Sequence, residues 1–391
     1  MLKKTSLGTL ADYINGRGFK KTEWKESGIP IIRIQNLTES REKFNYFQGE
    51  VNEKNIVRKG DLLMSWAATL DVYFWDGPKA ALNQHIFKVI PKINKKLLYY
   101  LLKTKISELY AKTHGTGMVH ITSDRFKNLE VEIPESPEEQ ELVASEIETQ
   151  LTRLEASTRS LKSLRDKLEL YRKSVLKAAF EGRGVSAEFT KKKIKDVSLS
   201  LDYGTSEKAK DTGRIPVLRM GNIQKGRIIY DNLKFYDDIS KMKELILEEG
   251  DLLFNRTNSP ELVGKTSIFR PNPNFDDVVF ASYLIRIRVN KDLILPAYLN
   301  YWLNSPQADC IKSALRSQQV GQANINGTKL KNIEFPFTDL PAQSNIVQAV
   351  EERLSLLDKI EETVSKSMLN AEKLKKSILK SAFEGKLVKG D

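Results

Sequence analysis

Apolar residues recur at alternating steps of three and four along two long stretches of the chain. The first stripe comprises Ile147, Leu151, Leu154, Leu161, Leu168, Val175 and Ala179, and the polar residues Thr158 and Arg165 interrupt it. The second comprises Val350, Leu354, Leu357, Val364, Met368, Ala371, Ile378 and Ala382, and the polar residue Glu361 interrupts it. This is heptad spacing, so each stretch predicts a helix of about 40 residues, roughly 60 Å long, whose stripe faces one partner. We predict helices over 137–180 and 341–383 that pack on each other.

The two stretches are copies of one another. The string Y-R-K-S-V-L-K-A-A-F-E-G-R at 171–183 returns as L-K-K-S-I-L-K-S-A-F-E-G-K at 374–386, an offset of 203 residues (374 − 171). Solenoid repeats recur every 20–50 residues or so, so this longer period indicates duplication of a domain plus a helix. Gly182 and Gly385 follow the two runs, as is typical of helix C-termini.

The segments that precede the helices also repeat. β-branched and aromatic runs predict strands in the first at 29–34, 55–57, 62–66, 72–75, 86–90 and 126–133, with a helix at 97–112 and a Gly-rich loop at 114–120. The strings I-P-I-I-R at 29–33 and G-D-L-L at 60–63 return as I-P-V-L-R at 215–219 and G-D-L-L at 250–253. Asn36 returns as Asn222, and we expect these two to serve the fold.

The predicted fold class is α+β, with two similar mixed α/β domains separated by two long helices. We place the domains at 1–136 and 184–339 and the helical segments at 137–183 and 340–391. Because the link at 182–192 is short, a compact second domain returns the chain near the end of the first helix. The second helix then runs back antiparallel, as a coiled coil with a pseudo-twofold internal repeat and a domain at each end.

Composition favours an intracellular protein with an anionic partner. The single Cys310 excludes an internal disulfide framework, and no signal peptide or long apolar run is found. We therefore expect a soluble cytoplasmic protein. The net charge of +12 favours nucleic acid as the partner.

Several strings resemble enzyme motifs, and each lacks the context that its chemistry needs. The F-E-G-R-G string at 180–184 ends a heptad helix, whereas a cofactor loop of that type follows a strand. The G-K-T string at 264–266 has Ser259 where a P-loop needs its first Gly, and a strand-like run follows it. The three histidines have no companions at metal spacing. We predict a binding protein without catalytic residues, cofactor or metal.

Polar residues on loops are the candidates for DNA contact, because Arg, Lys, Asn and Gln donate to phosphates and to base edges. The predicted contacts in the first domain are Arg17, Lys20, Lys21, Ser65, Trp66, His114, Thr116 and His120. Those in the second are Lys208, Lys210, Asn255, Arg256, Arg316, Gln318, Gln319, Gln322 and Asn324. The loops at 114–120 and 316–324 do not match each other, so they are the stronger candidates for discriminating bases.

The chain resembles the specificity subunit of type I restriction–modification systems. The resemblance covers the whole length and rests mainly on L-K-A-A-F-E-G at 176–182 and L-K-S-A-F-E-G at 379–385, with the G-D-L-L pair in support. It implies two target recognition domains that each read half of a split, asymmetric double-stranded DNA site. It also implies helices that set the spacer and dock two methyltransferase subunits, with restriction subunits joining further. The candidate subunit contacts are Tyr171, Phe180, Leu374 and Phe383.

Two alternatives from other classes remain open at this stage. One is a stand-alone DNA-modifying enzyme, which would act on DNA as a purified chain. The other is a coiled-coil tether with protein-binding domains, which would show no sequence-selective DNA retention when the methyltransferase subunit is added.

Overall fold

The computed structural model describes residues 2–38, 43–67, 69–112, 123–182, 188–224, 226–240, 242–259, 262–319 and 322–388. The chain forms two compact units, of which unit 1 comprises Met1–Lys162 and Ser365–Asp391 and unit 2 comprises Ser163–Val364. Each unit contains one of the repeated segments, here called domain 1 and domain 2, together with parts of both long helices.

Domain 1 is built on two four-stranded sheets, and the first long helix follows it. Its elements are β1 (Leu2–Ser6), α1 (Leu7–Leu10), β2 (Ala11–Asn15), β3 (Ile29–Ile32), α2 (Ile34–Leu37), β4 (Asn45–Phe47), β5 (Ile56–Val57), β6 (Leu62–Ser65), β7 (Asp71–Phe74), β8 (Ala80–Leu82), β9 (Ile86–Pro91), α3 (Lys95–Lys112), α4 (Ser123–Lys127), β10 (Glu130–Pro134) and α5 (Pro137–Ala179). The sheets have the orders β2-β9-β6-β7 and β4-β3-β8-β5, and β1 pairs with β10.

Domain 2 repeats this plan, and the second long helix follows it. Its elements are β11 (Thr190–Lys193), β12 (Ser198–Tyr203), β13 (Ile215–Leu218), β14 (Ile223–Gln224), β15 (Arg227–Ile228), β16 (Lys234–Tyr236), β17 (Leu252–Asn255), β18 (Thr257–Asn258), β19 (Thr266–Ile268), β20 (Val279–Phe280), β21 (Leu284–Val289), α6 (Pro296–Leu303), α7 (Pro306–Leu315), β22 (Ser317–Gln319), β23 (Gln322–Asn324), α8 (Gly327–Lys331), β24 (Glu334–Phe337) and α9 (Leu340–Phe383). Its sheets β12-β21-β17-β19 and β16-β13-β20 correspond to those of domain 1, and β11 pairs with β24.

The repeated G-D-L-L string begins the central strand of each domain. Gly60 and Gly250 have φ values of +88° and +95°, a conformation that favours glycine. The following strand is buried on both faces, because successive side chains point to opposite sides. In β17, Leu252 and Phe254 lie in one apolar cluster and Leu253 lies in another.

The long helices pair antiparallel, as predicted. In unit 1, Ile147 and Leu151 of α5 share an apolar cluster with Ile378 and Ala382 of α9. In unit 2, Leu176, Ala179 and Phe180 at the end of α5 share a cluster with Ile346 and Val350 near the start of α9. The early part of each helix thus packs with the late part of the other, and the contact in unit 1 is made by predicted heptad positions. The contact in unit 2 also includes Leu176, Phe180 and Ile346, which lie outside the predicted stripes.

A buried glutamine ties each long helix to the domain before it. Gln140 donates to Pro134 O (3.0 Å) and accepts from Asn94 N (3.1 Å). Gln343, at the same 203-residue offset, donates to Thr338 O (2.8 Å) and accepts from Leu295 N (2.9 Å). These bonds satisfy backbone groups that would otherwise be buried without partners.

One predicted strand is wrong in its first half. The segment 126–133 was expected to be extended, but Phe126 lies in α4 and the strand β10 begins only at Glu130. Phe126 is 2% exposed, and from the helix it packs edge-on against Tyr13. A buried aromatic side chain at this position therefore did not require a strand, because packing against Tyr13 buries Phe126 from a helix. The Gly-rich loop at 114–120 lies outside the described residues.

Candidate nucleic-acid interface

In domain 1, the ends of β2 and β6 and the start of β9 lie at the same edge of the four-stranded sheet. The end of β2 pairs with the start of β9, as does the end of β6. Trp66, directly after β6, donates its backbone N–H to His85 O (3.2 Å). We call the group Arg17, Trp66, Gln84 and His85 sheet edge 1; Gln84 and His85 are exposed, and the other two are half-buried.

Domain 2 forms the same edge with different side chains. The end of β12 and the end of β17 both pair with the start of β21. Arg256, directly after β17, donates its backbone N–H to Tyr283 O (3.0 Å). We call the group Tyr203, Arg256, Ser282 and Tyr283 sheet edge 2; the two tyrosines are 45% and 47% exposed.

A glycine lets the chain pass close to its neighbour at both edges. A Cβ atom on Gly16 would lie 2.1 Å from Asn83 O, and one on Gly204 would lie 2.3 Å from Phe280 O. No side chain fits at these distances, so the close approach requires glycine. This contact brings Arg17 beside Asn83 in domain 1 and Thr205 beside Ala281 in domain 2.

Sheet edge 1 combines a cation with aromatic rings. The Arg17 guanidinium lies 4.4 Å from the centre of the Phe47 ring and contacts Glu23 at 2.6 Å. The Trp66 and His85 rings are 5.6 Å apart, and the Trp66 indole N–H is buried without a partner among the residues that the structure describes. Lys20 and Lys21 are exposed nearby in sequence. Donors of this kind suit phosphates and base edges.

Sheet edge 2 holds an arginine against a tyrosine ring. The Arg256 guanidinium carbon lies 4.8 Å from the centre of the Tyr203 ring. Its Nη1 donates to Ser282 O at 3.3 Å. The stacking and this bond together fix the plane of the guanidinium, and planar donors with a fixed orientation suit recognition of base edges.

Two predicted contacts are buried and therefore do not face a ligand directly in this structure. Ser65 is 0% exposed, and its hydroxyl donates to Thr69 O. Asn255, its counterpart at the end of β17, is 1% exposed. Ser65 orders the turn after β6, so we do not retain it among the proposed DNA contacts.

The other predicted contacts are placed in different surroundings. Lys208 is exposed, and Lys210 forms a 2.6 Å ion pair with Asp237, whose hydrogen bond raises the pKa of Lys210. Arg316 and Asn324 are half-buried beside sheet edge 2. The remaining positions are on β22 and β23 or outside the described residues: Gln318, Gln319 and Gln322 are on the strands, and His114, Thr116 and His120 are outside.

Sequence reasoning missed Tyr203, Ser282 and Tyr283. The signal was available for Tyr283, because the run Y-L-I-R-I at 283–287 matches H-I-F-K-V at 85–89. Tyr203 gave no such signal, since only the pairing of β12 with β21 brings it to the edge. Asn222 serves the fold, as predicted: it is 3% exposed, accepts from Arg219 N and donates to Ile229 O.

The residues assigned to subunit contact fall into two groups. Tyr171 and Leu374 are 54% and 50% exposed. Phe180 is 7% exposed and packs on Tyr298 with ring centres 5.2 Å apart, and Phe383 is half-buried against the cores of unit 1. The two exposed residues are therefore better placed for another chain than the two phenylalanines.

A groove in unit 2 adds positive charge beside sheet edge 2. Its volume is about 1220 Å³, and it is bounded by residues of α5, α9 and domain 2. Seven cationic residues and four carboxylates line it. Of the cations, Lys173, Lys265, Arg270 and Arg316 form no ion pair within the described part of the chain, whereas Arg172, Arg227 and Lys312 do. Arg316 lines the groove and directly precedes Ser317, which pairs with Asn324.

The enzyme-like strings have structural explanations. Thr266 begins strand β19, so the G-K-T string is not followed by the helix of a P-loop. Gly182 has φ +71° just after α5, as a helix cap does. Among the residues described, no group of three or more His, Cys, Asp or Glu side chains is arranged to hold a metal ion, and no helix is long and apolar enough to cross a membrane.

Known proteins share both the sequence and the fold of this chain. A family model described as the type I restriction modification DNA specificity domain matches residues 2–169 and 187–368. The chain is 26% identical to the type I restriction enzyme EcoBI specificity subunit of Escherichia coli, over 98% of this chain and 86% of that protein. It is 27% identical to the StySPI specificity subunit of Salmonella potsdam, over 97% of this chain and 88% of that protein.

Solved structures show the same fold. A chain from work on complex assembly and conformational transition of the type I R-M system has a TM-score of 0.75 at 15% identity, with 98% of both chains covered. The HsdS subunit from Thermoanaerobacter tengcongensis has a TM-score of 0.56 at 16% identity, covering 98% of this chain and 97% of that one. With both repeats matched by the family model, the chain belongs to the DNA specificity subunits of type I restriction–modification systems.

Proposed function

We propose that each domain reads one half of a bipartite, asymmetric DNA site through its sheet edge. The observation that carries this proposal is that the two edges have one backbone plan and different side chains. Trp66 and His85 of sheet edge 1 are replaced by Arg256 and Tyr283 in sheet edge 2. Two scaffolds of the same shape with different donors and rings would present two different base-reading surfaces.

Affinity and specificity come from different residues in this proposal. Exposed Lys20, Lys21 and Lys208 and the cations of the unit 2 groove neutralise phosphates, which makes binding sensitive to salt. The sheet edges contact base edges and select the sequence. The net charge of +12 supports an anionic partner of this kind.

The antiparallel helices set the spacer between the half-sites and dock two methyltransferase subunits in the cytoplasm. Tyr171 and Leu374 are large, half-exposed apolar residues at positions that correspond in the repeat, so they suit two equivalent subunits. Catalysis then belongs to the methyltransferase subunits and to the restriction subunits of the full complex. The chain described here supplies recognition and spacing.

Lengthening both helices tests the spacing role. One heptad of seven residues, about two helical turns, inserted after Ser163 and after Lys366 lengthens each helix by about 10 Å at 1.5 Å per residue. These two positions correspond at the 203-residue offset, and both are exposed. We expect the complex with methyltransferase subunits to select a longer spacer and the same half-sites from randomised duplexes.

Controls separate spacing from damage. An insertion in one helix alone breaks the register of the pair and should abolish selection of any split site. An unchanged spacer in the doubly lengthened chain would contradict the ruler role. Absence of sequence-selective retention by the unaltered complex would instead favour a protein-binding tether.

A further inference from the structure

A small three-stranded sheet brings four polar residues together at the end of β17 in domain 2. Thr257 in β18 pairs with Asn324 in β23, and Asn324 also pairs with Ser317 in β22. The N–H of Ile325 donates to Arg256 O at 2.9 Å. Asn255, Arg256, Arg316 and Asn324 therefore lie in adjacent rows, and we call this group the polar cluster.

The polar cluster holds side-chain atoms that are buried without hydrogen-bond partners. They are both amide atoms of Asn255, Nε of Arg256, Nε of Arg316 and Oδ1 of Asn324, which make five of the eleven such atoms in the described part of the chain. Burying unpaired donors and acceptors costs free energy. Of these atoms, Nε of Arg256 belongs to sheet edge 2, where a ligand can supply the missing partner.

Arg256 is oriented for a planar, two-acceptor partner. Its face is stacked on Tyr203 at 4.8 Å, and its Nη1 is engaged by Ser282 O at 3.3 Å. The opposite edge of the guanidinium, formed by Nε and Nη2, has no partner among the described residues. Two parallel N–H donors on one edge match two acceptors in one plane.

Domain 1 has an unpaired donor at the corresponding position. Trp66 follows β6 as Arg256 follows β17, and its indole N–H is also buried with no partner in the described part of the chain. The position directly after the central strand thus holds an unsatisfied donor in both domains. Trp66 offers one donor where Arg256 offers a fork, so the two domains differ at this position in what they can recognise.

We propose that Arg256 reads a guanine in the half-site of domain 2, donating from Nε and Nη2 to the guanine O6 and N7. Guanine presents these two acceptors side by side in the major groove, and an arginine fork is the side chain that matches them. Nε is shielded from solvent in the free chain, so this edge of the guanidinium must become accessible when the base binds. The unpaired donors then gain their partners. The inference rests on the proposed function.

Two substitutions of Arg256 test the inference in the complex with methyltransferase subunits, using selection from randomised duplexes. Arg256→Lys keeps the charge and removes the fork, and Arg256→Gln removes both. We expect both variants to weaken the preference for guanine at one position of one half-site, Arg256→Gln by about 5- to 150-fold and Arg256→Lys by less, because the lysine ammonium group can still donate to guanine. The other half-site and the spacer should be unchanged, and Gln should shift the preference toward adenine.

Arg214→Gln is the matched control, because Arg214 is an exposed arginine of domain 2 away from the polar cluster. It should retain the full site. Thermal unfolding checks that each variant is folded. If Arg256→Gln does not fold, the result for Arg256→Lys decides the test.

The possible failures are distinguishable. If the unaltered complex selects a split site and both Arg256 variants select the same one, the inference is wrong and the proposed function stands. If the Arg256→Lys variant binds as the unaltered complex does, and Arg256→Gln weakens binding to all duplexes equally, Arg256 contacts phosphate and the inference is also wrong. If the unaltered complex selects no sequence, the proposed function itself fails.

Discussion

At the scale of single residues, the repeat separates side chains that build the fold from those that differ between the domains. Gln140 and Gln343 make the same kind of bonds at the starts of the two long helices. Trp66 and Arg256 occupy one backbone position and have different chemistry. A polar residue that recurs at the repeat offset and is buried therefore indicates an anchor, whereas an unmatched residue at a sheet edge indicates recognition.

The glutamine anchors predict a loss of stability when one is removed. Gln343 is 0% exposed and bonds Leu295 N, Thr338 O and Leu293 O. Gln343→Leu leaves these backbone groups buried and unpaired, so we expect the free energy of unfolding to fall by about 2–4 kcal/mol. Urea denaturation followed by circular dichroism measures the change.

An exposed glutamine of the same helix supplies the control. Gln348 is exposed, and its side chain donates to Glu352 one turn away, so Gln348→Leu should change stability by less than about 0.5 kcal/mol. If Gln343→Leu behaved like this control, the anchor role would be wrong.

At the scale of elements, the seam between the long helices is fixed by charges as well as by apolar residues. In unit 2, Arg172 of α5 contacts Asp358 at 2.7 Å and Glu361 at 3.4 Å on α9. Glu361 is one of the polar interruptions in the heptad stripe. Its contact with Arg172 gives the interruption a physical role, because a charge pair between helices favours one register over a slipped one.

Removal of Arg172 should weaken helix pairing in unit 2. The side chain is 17% exposed, so Arg172→Met keeps much of its packing and removes its ion pairs with Asp358 and Glu361. Asp358 keeps Arg227 as a partner. We expect unfolding to become easier by about 1–2 kcal/mol, with a smaller difference in 1 M salt. Chemical denaturation at two salt concentrations measures both quantities.

Arg159→Met is the comparison, since Arg159 is an exposed residue of the same helix. It should have little effect at either salt concentration. Equal effects of the two substitutions would show that Arg172 acts through helix propensity alone and not through the charges on α9.

At the scale of the whole molecule, one architectural unit occurs twice within a single chain. Each domain is closed by pairing of its first strand with its last, Leu2 with Pro134 and Thr190 with Phe337. A long helix follows immediately in both cases. Because each unit has its own cores and its own sheet edge, we expect one recognition surface to be exchangeable without rebuilding the other.

A chain with two copies of domain 1 tests this independence. Replacing residues 190–337 by residues 2–134 joins equivalent strands, so both helices keep their flanking pairs. If the antiparallel helices relate the domains by a twofold, the complex should select the half-site of domain 1 twice, as an inverted repeat. Selection of a direct repeat would contradict the twofold, and retention of the original asymmetric site would contradict reading by the domains.

The sequence by itself determined the duplication, the two long helices, their antiparallel pairing and the family. These features are carried by periodic patterns and repeated strings. Heptad spacing alone predicts which side of a helix is buried, whatever the rest of the fold is. The sequence did not determine which polar residues meet at the sheet edges. Tyr203, Arg256 and Tyr283 lie at the ends of three separate strands, and only the pairing of β12, β21 and β17 joins them. Ser65 and Asn255 looked like surface donors but are buried, because burial depends on what packs over a strand end and not on its local pattern.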